Sequence, residues 1–373
     1  MKFNTLLAIV TLSTAVLAHP GPEPHHSPEE FAKRELAARE RHIQARACQA
    51  DIAAFNVRRR AKRALAKRQE SSSSGSASST STAEAPHYST LQNTTCIMAP
   101  EVTEGPYYIN NEIVRQDLRE DQSGVTLILD IGVMDVSTCT PMDDVFVEIW
   151  AANATGVYGG YPTSLGPPPG ESGGGSTDAP TSSMSAPPGG GGGGPMGTTA
   201  LERNETFLRG GFATGSGGVV ELATIYPGFY SGRTAHIHTM VHMNYSTSEN
   251  GTLISHSGSL LHIGQFFFDE EWNDQVFALS PYTDNTENSR TYNDADSILE
   301  QANADGNDAF LALELLGDSI EDGILGYITV GVDSSASYSI TNTNYLNSTE
   351  SSSSADSSTT AFRRSKGAFG LAR

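Results

Sequence analysis

The 373-residue chain predicts an all-β domain, an antiparallel β-sandwich with small helical additions and long disordered segments around and within it. Three observations predict this. Seven short runs, at residues 125–135, 145–151, 207–214, 218–225, 235–242, 262–268 and 327–333, are rich in β-branched and aromatic residues. Several of them alternate, as in Val145-Phe-Val147-Glu-Ile149-Trp150, which is the period of a strand with two different faces. Gly215-Ser-Gly-Gly218 joins two runs as a tight hairpin. Residues 294–304 are the best helix candidate, with an acidic first turn and with Ile298, Leu299 and Ala302 on one side. Residues 310–316 suit a strand or a helix equally. One sandwich fits this order better than alternating β and α units.

The packed region is expected between two Ser-rich runs, 71–82 and 348–360, neither of which can bury a core. Lys2 followed by an apolar run from Leu6 to Leu17 reads as a secretory signal peptide over residues 1–18. Residues 19–68 contain Lys33-Arg34, Arg58-Arg59-Arg60, Lys62-Arg63 and Lys67-Arg68, a ladder of dibasic sites expected of a removed pro-segment. An attached basic helix is the other reading, since residues 29–66 are good helix formers. A Ser-rich linker over 69–90 leads into a domain expected at 91–346, and a Ser-rich tail occupies 347–373. Residues 162–199, with Pro167-Pro-Pro169 and six consecutive glycines from Gly189 to Gly194, form a low-complexity insertion expected at the surface. No stretch has the apolar length to span a bilayer, and the basic end lacks the hydrophobic tail of a lipid anchor. The expected location is extracellular.

The formal charge is −20, and residues 1–68 hold 13 of the 23 Lys and Arg but 6 of the 43 Asp and Glu. Removing them leaves 10 basic and 37 acidic residues, a charge of −27. Such acidity argues against nucleic acid and anionic membrane as partners. Of three cysteines, Cys48 lies in the expected pro-segment, which leaves Cys96 and Cys139 as an expected disulfide in an oxidising compartment. Six sequons, at Asn93, Asn153, Asn204, Asn244, Asn250 and Asn347, are available for glycosylation on this route.

The chemistry centres on Arg233-Thr-Ala-His236-Ile-His238, closely preceded by Tyr226-Pro-Gly-Phe-Tyr230. On a strand, residues two apart share a face, so both imidazoles can reach one ion while Ile237 packs behind. Alone, the pair is as well explained by a polar strand face. Its neighbours decide the matter. Glu104-Gly-Pro-Tyr-Tyr108, Val147-Glu-Ile-Trp150 running on to Tyr158, Phe207-Leu-Arg-Gly-Gly211, Tyr230 with the His-x-His strand, and Gly264-Gln-Phe266 stand in a fixed order. In these blocks the chain resembles the intradiol ring-cleavage dioxygenases of catechols, and among them a secreted fungal group.

The resemblance implies the family's β-sandwich and a mononuclear non-haem Fe(III) held by Tyr158, Tyr230, His236 and His238. The donor set suits that ion, because a hard trivalent cation prefers anionic oxygen and strongly favours phenolate over phenol. It implies that a catechol or hydroxyquinol-like phenolic is cleaved by O2 between its oxygenated carbons to a muconate-type diacid. Tyr230 is then the ligand that the substrate displaces and that takes one of its protons. Arg233 matches an arginine that stabilises charge developing on the substrate, and Gln265 an outer glutamine. Two departures stand out. The gap from Tyr230 to His236 is short, and no counterpart of the helical dimerisation region follows Arg68, which leaves the oligomeric state open. A non-catalytic extracellular or cell-wall binding protein on the same sandwich is the alternative. A zinc or copper hydrolase built on His236 and His238 would leave both tyrosines without a role.

Overall fold

The computed structural model describes residues 36, 40, 43–73, 104–162, 199–304 and 307–346. The expected signal peptide, Cys96, residues 74–90 of the Ser-rich linker, the Ser-rich tail, residues 163–198 of the insertion, and the sequons Asn93 and Asn347 lie outside the described residues, while residues 69–73 continue a helix.

Among the described residues nine strands make two sheets. The first holds β1 (Thr126–Asp135), β2 (Thr140–Pro141), β5 (Val219–Ile225), β8 (Ala312–Leu315) and β9 (Ile324–Val332), in the order β2-β1-β9-β8 with β5 also on β1. The second has the order β4-β3-β6-β7, from β3 (Phe146–Ala151), β4 (Arg209–Ala213), β6 (His236–Met243) and β7 (Ser259–Phe267). All pairings but one are antiparallel. β1 and β9 run parallel from Leu127 opposite Ile324 to Asp135 opposite Val332, the one departure from the antiparallel pattern expected of the sandwich. They lie far apart in sequence, so no hairpin turn dictates their relative direction.

Alternation explains how the sheets divide their residues. Leu127, Leu129, Ile131 and Val133 of β1 join Val147, Ile149 and Ala151 of β3 and Ile237 and Val241 of β6 in one buried cluster, so a single core draws on both sheets. The intervening residues of the second sheet, Trp150 and Met240 among them, fall in a separate aromatic cluster. His236 and His238 share that side of β6 with Met240. The Gly215–Gly218 turn closes as expected, with the Gly215 N–H donating to the Val219 carbonyl at 3.0 Å.

Helices accompany the sheets, among them α1 (Gln49–Ser73), α2 (Glu270–Phe277) and α3 (Ser297–Ala302). Residues 310–316 resolve as β8, and the expected helix at 294–304 shortens to α3, because Asp296 caps it by accepting from the Ile298 and Leu299 N–H groups. α2 had no visible period in the sequence, since Val276 is its one buried apolar residue. None of the described helices is long and apolar enough to cross a membrane.

α1 lies against β1 on the side away from the shared core. Ala45, Cys48, Ile52 and Phe55 pack on Met134 and Val136, and Gly132 makes room, since a Cβ there would meet Phe55 at 2.5 Å. Arg59 is buried, bonding through Nε to Asp130 Oδ1 at 2.9 Å and through Nη1 to Thr329 Oγ1 at 3.0 Å. Cys48 is disulfide-bonded to Cys139, which corrects the expected Cys96–Cys139 pairing. The turn following β1 brings Cys139 to the start of α1, with Cα atoms 5.2 Å apart.

Candidate metal centre

Two loops and one strand deliver the donors. β3 ends at Ala151, and the turn after it is tied by Asn153, whose Oδ1 accepts from the N–H groups of Thr155 and Val157 at 3.1 and 3.0 Å. This turn presents Tyr158. A second loop, residues 226–233, presents Tyr230 and Arg233 before β6 begins. Two glycines let the loops touch. Gly156 has φ +83° and sits so close that a Cβ would lie 2.3 Å from the Phe229 carbonyl oxygen, and a Cβ on Gly228 would lie 2.4 Å from that of Ala154.

The four rings converge. His236 Nε2 is 3.2 Å from the Tyr158 hydroxyl and 3.4 Å from that of Tyr230. The two imidazole centroids are 4.9 Å apart, and the two phenol centroids 5.8 Å. His236 Nδ1 lies 2.7 Å from the Thr234 carbonyl, to which it donates, so Nε2 carries the lone pair toward the phenols. His238 is fully buried with neither ring nitrogen partnered among the described residues. Burial pushes its pKa well below the usual value, and the neighbouring His236 adds to this, so it presents a neutral imidazole. Burial also holds Tyr158 and Tyr230 as neutral phenols well above their ordinary range, and Arg233 opposes this for both.

This arrangement fits a trivalent iron. A buried imidazole with two unused nitrogens is costly unless something binds it, and the neighbouring phenols become anionic donors only beside a strong positive charge. Among the described residues no group of three or more His, Cys, Asp and Glu is placed to hold a metal, so a metal here draws on the tyrosines.

Arg233 and Gln265 stand beside the histidines. Arg233 is fully buried, donating from Nε to Asp296 Oδ2 at 2.8 Å and from Nη2 to Gln265 Oε1 at 2.6 Å, with Nη1 3.4 Å from His236 Nε2. Asp296 also accepts from the Thr234 N–H at 2.9 Å, so one carboxylate caps α3 and braces the strand entry. All six residues singled out in the sequence therefore stand in one cluster.

Several neighbours escaped the sequence reading. Tyr107 stacks on Tyr158 at 4.7 Å and stands edge-on to Tyr230 at 6.1 Å, and burial together with Tyr161 raises its pKa to about 12. Trp150 lies flat on His238, centroids 4.8 Å apart and planes within 6°. In the sequence, residues 104–108 suit a place near the substrate cavity, by the family resemblance, or a turn with two packing aromatics. Asp296 had a signal, as an acidic residue at a helix start, but its contact with Arg233 spans 63 residues.

No protein-family model matches the chain, and no curated protein does. Solved structures do. The chain is similar to intradiol ring-cleavage dioxygenases. An intradiol ring-cleavage dioxygenase from Tetranychus urticae is 26% identical, over 65% of this chain and 98% of that one, with a TM-score of 0.47. The dioxygenase domain of a dioxygenase–carbohydrate-binding fusion from Streptomyces sp. SirexAA-E is 19% identical, over 63% and 97%, with a TM-score of 0.35. Catechol 1,2-dioxygenase from Pseudomonas arvilla C-1 is 14% identical, over 86% and 84%, with a TM-score of 0.37.

Proposed function

We propose that this protein is a secreted intradiol dioxygenase that cleaves catechol-type or hydroxyquinol-like diols with O2 to muconate-type diacids, on a sandwich of the intradiol type. The observation that carries the reading is the meeting of two phenols and two imidazoles around His236 Nε2, with a buried arginine at its edge. Tyr158, Tyr230, His236 and His238 would hold a mononuclear Fe(III). When bound, the ion would ionise the phenols and draw electron density from a coordinated catecholate.

The remaining work belongs to the chain. Tyr230 accepts a proton from the incoming diol at its phenolic oxygen, a role suited to the tyrosine on the shorter loop to the histidines. Arg233, held by Asp296 and Gln265, sets a permanent positive charge where negative charge grows on the substrate. Gln265 keeps the guanidinium in register rather than meeting the substrate itself. Trp150 locks the plane of His238. The burial of all these groups keeps bulk water from the reacting ring. Secretion, with glycosylation at exposed sequons such as Asn204 and Asn244, completes the proposal.

The test is O2 uptake by the iron-loaded protein with catechol and with hydroxyquinol, and mass analysis of the product. One O2 consumed per diol, with both of its atoms in an open-chain diacid, is expected. An iron-loaded protein that binds these diols without consuming O2 would favour the non-catalytic binding protein.

A further inference from the structure

The Phe207–Gly211 block contains a second buried arginine that the proposed chemistry does not use. Arg209, the first residue of β4, is 1% exposed. It pairs with Trp150, Trp150 pairs with His238, and His238 with Gln265, so these four residues form one row across the second sheet. The guanidinium reaches two separate segments. Nη1 and Nη2 each donate to the Tyr107 carbonyl at 3.2 Å, and Nη2 donates to the Gly159 carbonyl at 2.7 Å. Nη1 is also 3.0 Å from Glu112 Oε1, a fully buried carboxylate on the same segment as Tyr107.

These carbonyls are not arbitrary. One belongs to Tyr107, and the other follows Tyr158 directly, while the rings of those two residues are stacked. A single planar fork therefore fixes the backbone behind both members of the stack, and it stands on the strand row that carries His238. Glu112 neutralises a cation that would otherwise be buried alone.

We infer that Arg209 is a positioning residue of the site, clamping the Tyr107 and Tyr158 segments together so that the Tyr158 hydroxyl stands at the histidine pair. This rests on the dioxygenase reading given above. Lysine is a poor substitute, because one ammonium cannot repeat the fork across two carbonyls.

The test uses the full-length, iron-loaded protein and two variants, Arg209→Lys and the double variant Arg209→Met with Glu112→Gln. The second removes both buried charges, a change that proteins often tolerate. Both variants are expected to fold and take up iron. Their tyrosinate-to-iron absorption band is expected to be displaced from the parent's, and near-ultraviolet circular dichroism of the metal-free proteins to lose the signal of the Tyr107–Tyr158 stack. With catechol, kcat is expected to fall on the order of tenfold, the cost of a slightly misplaced group, with KM changed less. Retention of the parent's band and kcat in the double variant would overturn the inference. So would loss of the fold in both variants, which would make Arg209 a structural residue. A parent protein that takes up no iron would instead defeat the dioxygenase reading itself, and this inference with it.

Discussion

At Arg233, Asp296 and Gln265 hold one guanidinium, and its third nitrogen stands 3.4 Å from His236. The charge is therefore fixed in place before any substrate arrives, which is the condition under which a dipole or ion lowers a barrier most. On the proposed reading it is not needed to hold Fe(III), which would draw on two phenolates and two imidazoles. Iron binding and turnover should come apart at this residue. Arg233→Leu is expected to keep its iron and colour and to lose ring cleavage by a factor on the order of 10². Steady-state O2 uptake alongside metal analysis checks this, and a variant that turns over at the parental rate would return Arg233 to a purely structural role. The residue was legible from its place three positions before the histidine pair. Asp296 was not, because a carboxylate that caps a helix looks the same in sequence whether or not it also grips an arginine.

The elements that matter most are those that sequence periodicity describes least. Strand alternation put His236 and His238 on one face, and the glycines of two loops bring Tyr158 and Tyr230 to them by allowing backbone contacts that a Cβ would forbid. Helix α1 is the larger surprise. The dibasic ladder pointed to a discarded segment, yet Phe55 and Arg59 are seated on β1 and Cys48 is bonded to Cys139. Helix formers allowed an attached helix, but its seat on β1 was not legible, because the contacts that fix it there, Arg59 on Asp130 and a cystine joining residues 91 apart, are long-range. A disulfide closing a loop of that length contributes on the order of 4 kcal/mol. If processing cuts after Arg68, the N-terminal piece is expected to stay attached until the protein is reduced. Electrophoresis of the secreted protein with and without reductant reads this directly. A free chain beginning at Gln69, with no attached piece in the unreduced sample, would contradict it.

For the whole molecule, two sheets with different faces divide the labour. One face of each feeds a shared core, the far face of the first carries α1, and the far face of the second carries the site. The seven longer strands could be read from β-branched and aromatic runs, because burial on one or both faces leaves a local mark. The parallel pairing of β1 with β9 and the meeting of residues 104–113 with β4 could not, since they depend on contacts between distant parts of the chain. The four rings were picked out for a different reason: they stand in the ordered sequence blocks that resemble the intradiol dioxygenases, and the fold brings them together. The most direct measurement of this account is the visible absorption spectrum of the protein loaded with one equivalent of Fe(III), beside that of Tyr158→Phe. The parent is expected to be red-brown from tyrosinate-to-iron charge transfer, with the band weakened or lost in the variant. A colourless parent, or a variant with the parent's full band and iron content, would contradict the claim that these tyrosines hold the metal.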